Sequence, residues 1–168
     1  MAIINIVEYP DPILREECIK ITNINQNIRK LVQDMSDTMY DAPGVGLAAP
    51  QIGENIRLIV LDPNAGLEDE PSQFISLINP EIIGAEGKVE SEEGCLSIPG
   101  IKETIKRHEK ITVSALDLEG KKVTIQADGF LAIVLQHEID HINGILFIDY
   151  LSRLKQKVVK AKLKKNAN

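Results

Sequence analysis

Apolar residues spaced by three and four positions predict an amphipathic helix over residues 25–40. The residues that form its apolar face are Ile28, Leu31, Val32, Met35 and Met39. Ala42, Pro43 and Gly44 follow this pattern and should end the helix, because proline and glycine both disfavour its continuation.

A second predicted helix, over about residues 129–143, differs because its first turns are apolar on all sides. Residues 130–135 include no polar side chain, so we expect this helix to be central and to be covered on most sides. Asp128 is predicted to be its N-cap, and Gly144 is predicted to end it.

Four runs of β-branched and aliphatic residues predict strands. These runs are residues 56–61, 74–83 (with an interruption at Pro80), 110–117 and 121–128. Residues 118–120 favour a hairpin between the last two runs, whereas the Pro-, Gly- and acid-rich residues 62–73 predict a surface loop. Strands follow one another instead of alternating with helices. The predicted fold class is therefore α+β, with antiparallel sheets packed around the central helix and a further helix near the C-terminus.

The composition is typical of a globular protein, and we expect residues 1–168 to form a single domain. The chain is 43% hydrophobic and 26% charged, and its 168 residues suffice to bury a core. No apolar run is long enough to span a membrane, and the first residues lack the features of a signal peptide. With only two cysteines, Cys18 and Cys95, we expect no disulfide framework and a cytoplasmic location.

Positive charge is concentrated in a third predicted helix, over about residues 152–164 with Ser152 as its N-cap. Residues 152–168 contain seven of the 19 Lys and Arg residues and no acidic residue. Residues 1–151 contain the other 12 basic residues and all 25 acidic ones, a formal net charge of −13. A basic segment on an acidic body is typical of an interaction arm, although a solvated helix face explains the pattern equally well.

His137, Glu138 and His141 form an H-E-x-x-H pattern within the predicted central helix. Residues four apart on a helix share one face, with Cβ atoms about 5–6 Å from each other. The two imidazoles can therefore bind one metal ion, and the glutamate can reach a water at that ion. The alternative is a helix that carries two unrelated histidines.

A catalytic metal site of this kind needs a third protein ligand. Phe147 occupies the position of the third histidine in the longer H-E-x-x-H-x-x-G-x-x-H motif, and no glutamate follows Glu138. His108 lies in a run of charged residues that we expect to be solvated, and Cys18 follows a charged segment. Cys95 remains as the predicted third ligand.

Two acidic residues beside these motifs, Glu93 and Asp140, are candidates for a supporting role. We expect them to orient the metal ligands or to pair with a cation such as Arg107. An ordinary surface salt bridge is the alternative for both.

Three blocks of sequence together resemble the motifs of the peptide deformylase family. They are G-V-G-L-A-A-P-Q at residues 44–51, E-G-C-L-S at 93–97 and Q-H-E-I-D-H at 136–141. The order and spacing of the blocks agree with that family, and the resemblance covers nearly the whole chain. It implies a hydrolase that removes the N-formyl group from the initiator methionine of nascent polypeptides and releases formate.

The resemblance also implies roles for particular residues. One divalent metal ion would be held by Cys95, His137 and His141. Glu138 would act as general base and acid, Gln51 and the backbone N–H of Leu96 would surround the developing oxyanion, and Gly46 would help to hold the peptide backbone. Ligation by one Cys and two His by itself indicates zinc. The resemblance implies Fe²⁺ in the cell, with Zn²⁺, Ni²⁺ or Co²⁺ as substitutes.

The central helix further predicts part of a methionine pocket. Ile133 and Val134 precede His137 by four and three residues, so these apolar side chains should lie beside the metal on one helix face. Core packing is the alternative for Ile133 and Val134, and Val45 is a further candidate for the pocket. The chain departs from the family pattern at Lys102, where many bacterial members have arginine. Lysine cannot make the bidentate contact that arginine makes.

The expected partners are N-formylmethionyl nascent peptides and, through the basic C-terminal helix, the ribosome. We expect no membrane and no DNA partner. The motifs leave two other functions open. A small H-E-x-x-H metallo-endopeptidase is disfavoured by the missing downstream ligand. A non-catalytic ribosome-binding module, in which metal only stabilises the fold, would need a fourth ligand.

Overall fold

The computed structural model describes residues 2–166, which form three α-helices, seven strands and three short 3-10 helices. The α-helices are α1 (Gln26–Asp41), α2 (Gly129–Ile142) and α3 (Arg153–Asn166). The strands are β1 (Gly46–Ala48), β2 (Leu58–Leu61), β3 (Ile75–Glu86), β4 (Val89–Cys95), β5 (Ile98–Arg107), β6 (Lys110–Leu116) and β7 (Lys122–Asp128). The 3-10 helices are Pro12–Arg15, Ala49–Ile52 and Phe147–Tyr150.

The strands form two antiparallel sheets around α2. One has five strands in the order β1-β2-β3-β6-β7, and the other is the hairpin β4-β5. Apolar residues of α2 pack against the five-stranded sheet in a shared core that includes Ile59, Leu77 and Val113. The predicted α+β class, with antiparallel sheets around a central helix, is confirmed.

The amphipathic pattern correctly located α1. Asn25 is its N-cap, and the side-chain oxygen accepts a hydrogen bond of 3.1 Å from the Ile28 N–H. Val32, Met35 and Met39, from the predicted apolar face, are buried in the core.

Strand β3 passes through Pro80 and continues to Glu86, beyond the predicted end at residue 83. Proline has no N–H to donate, and the pairing of β3 with β6 shifts register between Ile78 and Glu81. Asn79 takes a left-handed φ of 52°. Its side-chain amide accepts a hydrogen bond from the Ile21 N–H and donates one to the Ile21 C=O, each at 2.9 Å. The strand therefore continues past Pro80 with a shift in register.

The hairpin of β4 and β5 was not predicted from the sequence. Ser91 and Glu93 of β4 and Arg107 of β5 are buried, so polar residues occupy inward positions where an apolar alternation would mark a strand. The expectation that the charged run around His108 is solvated is wrong for Arg107, which is only 4% exposed.

Helix α2 is central, but its first turn is open on one side. Phe130 is 53% exposed, so the expectation of cover on most sides fails at this residue. Asp128 occupies the N-cap position, although its side chain makes no capping hydrogen bond. Gly144 follows the C-cap residue with φ 75° and ends the helix as predicted.

Helix α3 packs against β5 of the hairpin. Val159 and Leu163 are buried against isoleucines of β5. Ser152 Oγ accepts a hydrogen bond of 3.2 Å from the Lys155 N–H, which confirms the predicted cap. Among residues 2–166, no helix has the length and apolarity needed to cross a membrane.

Gly144 cannot accommodate a side chain, and Gly66 in the surface loop offers a matched comparison. Both have positive φ, 75° and 81°, which costs an L-residue about 1 kcal/mol. A Cβ on Gly144 would also lie 2.5 Å from the Arg15 carbonyl oxygen, whereas one on Gly66 would meet nothing within 4 Å. We expect Gly144→Ala to lower the free energy of unfolding in urea by about 3 kcal/mol, and Gly66→Ala by about 1 kcal/mol. Equal losses would contradict the steric argument.

Candidate active site

Three side chains that can bind a metal ion converge where β4 ends against α2. Cys95 is the last residue of β4, and His137 and His141 lie on one face of α2. One ligand atom from each residue lies within 4.8 Å of the other two, and Cys95 Sγ is 3.3 Å from His141 Nε2. The structure therefore brings together the three side chains that the sequence predicts as metal ligands.

The chemistry of this group fits a divalent metal ion. His137 uses Nδ1 to contact Glu93 Oε1 at 3.0 Å, which leaves Nε2 available to a metal. One thiol and two imidazoles are donors that zinc and ferrous iron both accept. Glu138 Oε1 is buried without a hydrogen-bond partner among residues 2–166. One oxygen of this carboxyl group therefore keeps unused hydrogen-bonding capacity.

Glu138 packs directly against the backbone of Gly46. A Cβ on Gly46 would lie 2.5 Å from Glu138 Oε2, so a side chain at this position would force Glu138 to shift. Two residues earlier, a Cβ on Gly44 would lie 2.9 Å from Leu96 Cδ1. The two glycines therefore let the backbone pass close to the side chains of Glu138 and Leu96.

The environment of Glu138 suits proton transfer. Burial raises the pKa of its carboxyl group to about 7. The positive charge of His137 opposes this rise, and the negative charge of Glu93 adds to it. A carboxyl group that titrates near neutral pH can both accept and donate a proton under those conditions, as a general base and acid must.

A buried network centred on Arg107 lies behind the histidines. The guanidinium donates hydrogen bonds to both oxygens of Glu93, at 2.7 and 2.8 Å, and to Asp140 at 2.7 Å. Tyr150 donates to the same Asp140 oxygen at 2.8 Å, and its ring centre is 5.1 Å from the guanidinium. Burial alone would raise the pKa of Glu93, but the hydrogen bonds from Arg107 and His137 lower it to about 2. The expected pairing of Glu93 and Asp140 with Arg107 is confirmed.

Gln51 is held with its amide nitrogen toward Cys95. Its Oε1 accepts a hydrogen bond of 2.9 Å from the Ala48 N–H, and its Nε2 donates to Ser97 Oγ at 3.1 Å and to Cys95 Sγ at 3.7 Å. Ser97 is fully buried, and sequence reasoning missed it as a candidate functional residue. Only its membership of the E-G-C-L-S block could have drawn attention to it.

The site opens into a cleft of about 780 Å³. Its walls include these predicted site residues: Val45, Gly46, Gln51, Cys95, Leu96, Ile133, Val134, His137 and Glu138. His141 is 1% exposed and lies beneath the surface of the cleft. Phe130, Lys102 and Lys162 also line it. Lys162 belongs to α3, and no signal in the sequence connects that helix with the site.

The two residues that were rejected as ligands do not join the candidate metal site. The backbone N–H of His108 bonds to Gln136 Oε1 at 2.9 Å. Cys18 is buried in the core, and this burial raises the pKa of its thiol to about 11. Within the described part of the chain, no fourth Cys, His, Asp or Glu completes the group. The closed site that a purely structural metal would need is therefore not formed by these residues.

Comparison with known proteins agrees with the geometry of the site. Residues 3–157 match the family model described as polypeptide deformylase. The peptide deformylase of Desulfotalea psychrophila is 48% identical over 98% of this chain and 97% of its own length. That of Symbiobacterium thermophilum is 54% identical over 92% of this chain and 70% of its own length.

Similarity extends to the three-dimensional structure. The crystal structure of a peptide deformylase from Legionella pneumophila matches with a TM-score of 0.91 at 48% identity, covering 99% of this chain and 96% of that one. A family match over most of the chain, high identity to named relatives and a shared fold lead to one conclusion. The chain belongs to the peptide deformylase family.

Proposed function

We propose that this protein removes the N-formyl group from the N-terminal methionine of nascent polypeptides and releases formate, with residues 1–168 acting as one catalytic domain. The observation that carries the proposal is the convergence of Cys95, His137 and His141 beside Glu138 in one cleft. The substrate is inferred from membership of the peptide deformylase family, and the chemistry of these side chains suits hydrolysis of a formamide.

Cys95, His137 and His141 are the proposed ligands of one divalent metal ion. When bound, such an ion supplies Lewis acidity, which polarises a carbonyl group and lowers the pKa of a coordinated water. We propose Fe²⁺ in the cell, as the family resemblance implies, with Zn²⁺, Ni²⁺ or Co²⁺ as substitutes that the same donors accept. Glu93, kept ionised by Arg107, would fix the ring of His137 for this role.

Glu138 is the proposed general base and acid. Its carboxylate would take a proton from the attacking water, whose oxygen forms the new bond to the formyl carbon. As the C–N bond of the formamide breaks, Glu138 would deliver that proton to the leaving amine. The products are a free N-terminal amine and formic acid, which ionises to formate. Because its pKa is about 7, the carboxyl group is suited to both transfers.

Gln51 and the backbone N–H of Leu96 are the proposed donors to the oxyanion. The hydrogen bond from the Ala48 N–H holds Gln51 Oε1, which leaves Nε2 directed toward the reaction site. Ser97 also binds this nitrogen and restrains its rotation. A donor placed in this way contributes roughly 3 kcal/mol to transition-state stabilisation in comparable hydrolases.

The methionine side chain would contact Val45, Ile133 and Val134. All three line the cleft beside His137, and an unbranched thioether adapts well to an apolar wall of this kind. The backbone of Gly46, on the same wall, is the proposed partner of the substrate backbone.

We propose a cytoplasmic location and binding of the ribosome through the outer face of α3. The helix carries seven basic and no acidic side chains, and all seven basic residues are exposed. Nucleic-acid phosphates attract such a face, and this attraction falls steeply with salt.

Replacing Glu138 by glutamine should lower kcat for formate release from a formyl-Met tripeptide about a thousandfold, because the amide cannot transfer the proton. The bound metal per chain, measured by elemental analysis, should stay at the wild-type value, since Glu138 is not among the three donors. Formate release at the wild-type rate, or loss of metal together with activity, would argue against the proposed role.

Removal of the metal should abolish formate release, and replacement should restore it. We expect 1,10-phenanthroline to inactivate the protein and Fe²⁺, added without oxygen, to restore more activity than Zn²⁺. Cys95→Ala should lose the metal, whereas the matched variant Cys18→Ala should retain it. Elemental analysis of the anaerobically purified proteins measures the metal content of both cysteine variants. Full activity in metal-free protein would refute the proposed cofactor.

Reversing charge on the outer face of α3 should weaken ribosome binding. Lys157, Lys160 and Lys164 are exposed and lie away from the face that buries Val159 and Leu163. We expect the triple Lys→Glu variant to lose at least about tenfold in affinity for ribosomes in co-sedimentation at low salt. Hydrolysis of free peptides serves as the control for folding. An unchanged ribosome pellet would show that α3 does not carry this interaction.

A further inference from the structure

Helix α3 supplies part of the wall of the substrate cleft through a single lysine. Lys162 lines the cleft together with Lys102 of β5, and both side chains are exposed. The cleft is thus bounded by the core helix on one side and by the C-terminal helix on another. The chemistry proposed above makes no use of either lysine.

Packing against β5 sets the rotation of α3 about its axis. Val159 and Leu163 are buried, so they mark the face of the helix that is turned inward. Lys162 lies three residues after Val159 and therefore stands beside this buried face.

Two contacts define which flank of α3 faces the cleft. Lys155 and Asn166 lie seven residues before and four after Lys162, which places all three on one flank of the helix. Lys155 Nζ is 3.5 Å from Glu103 Oε2 on β5. The side chain of Asn166 lies beside Gly100 of β5, where an added Cβ would be 3.7 Å from its Nδ2. Lys162, between these contacts, is held at the edge where β5 borders the cleft.

The outer part of the cleft carries an excess of positive charge. Glu93 is neutralised by Arg107, and Glu138 is buried at the base. The exposed charges that remain on the lining are Lys102, Lys162 and one carboxylate, Glu92. This local excess of cations stands out on a chain whose formal net charge is −6.

We propose that Lys102 and Lys162 make the cleft selective for acidic side chains, and against basic ones, in the substrate residues that follow the formylmethionine. The inference rests on the proposed function. If the methionine side chain contacts Ile133 and Val134, the following residues would extend along the remaining walls of the cleft, to which β5 contributes Lys102 and α3 contributes Lys162. An exposed charge pair changes affinity by roughly 1.5- to 5-fold. Two lysines together should therefore separate acidic from basic peptides about fivefold to tenfold.

The test uses three peptides, formyl-Met-Ala-Xaa-Xaa amides in which Xaa is Glu, Gln or Lys. Formate release at low salt gives kcat/KM for each, and the decisive quantity is the ratio of the Glu peptide to the Lys peptide. We expect a ratio of about five to ten for the wild-type protein, falling toward one in 0.5 M salt, where the Debye length is only several ångströms.

Three single variants show which lysines cause the preference for the Glu peptide. Lys162→Gln and Lys102→Gln should each lower the ratio about twofold to threefold, whereas Lys164→Gln, on the opposite side of the same helix, should leave it unchanged. A wild-type ratio near one, or equal effects of the Lys162 and Lys164 variants, would overturn the inference. Failure of the proposed function is distinguishable, because the uncharged Gln peptide would then release no formate from metal-loaded protein.

Discussion

The buried ion pair between Glu93 and Arg107 holds the parts of the site in their mutual positions. It joins β4 to β5, reaches α2 through Asp140 and fixes the ring of His137 through Nδ1. Removal of one member of such a pair leaves a buried charge without its partner, at a cost of about 3–5 kcal/mol. The hairpin that carries Cys95 has no hydrogen-bonded neighbour among the other described strands, so this pair is a principal link between the thiol and the two histidines.

Sequence patterns located the elements whose apolar residues are periodic or continuous, and they missed a hairpin in which several of the buried positions are polar. The periodicity of α1 and the β-rich runs of β6 and β7 were sufficient, because burial of apolar side chains determines these elements. The hairpin β4-β5 escaped detection because the polar residues Ser91, Glu93 and Arg107 are buried, and Glu93 and Arg107 pair with each other and with α2. In sequence, such residues are indistinguishable from a solvated charged loop. Phe130 shows the converse case, since an apolar run at the start of α2 leaves one residue facing the cleft.

The candidate site was predictable where helical spacing or elimination limits the choice. His137 and His141 follow from the spacing of four, and Cys95 follows because no later histidine or glutamate is available. Ser97 and Lys162 were not predictable, because each matters only through tertiary approach. Ser97 meets the amide of a residue from a distant block, and Lys162 depends on how α3 packs along β5.

The contact between Gly46 and Glu138 has a consequence for inhibitors that occupy the cleft. Gly46 forms part of its wall, and even one methyl group there would lie 2.5 Å from Glu138 Oε2 and would displace the proposed base. A substitution of Gly46 that narrows the cleft and excludes a drug would therefore also disturb Glu138, the group that transfers the proton. A compound that binds against the backbone of Gly46 would contact a surface where target-site resistance carries a direct penalty in catalysis.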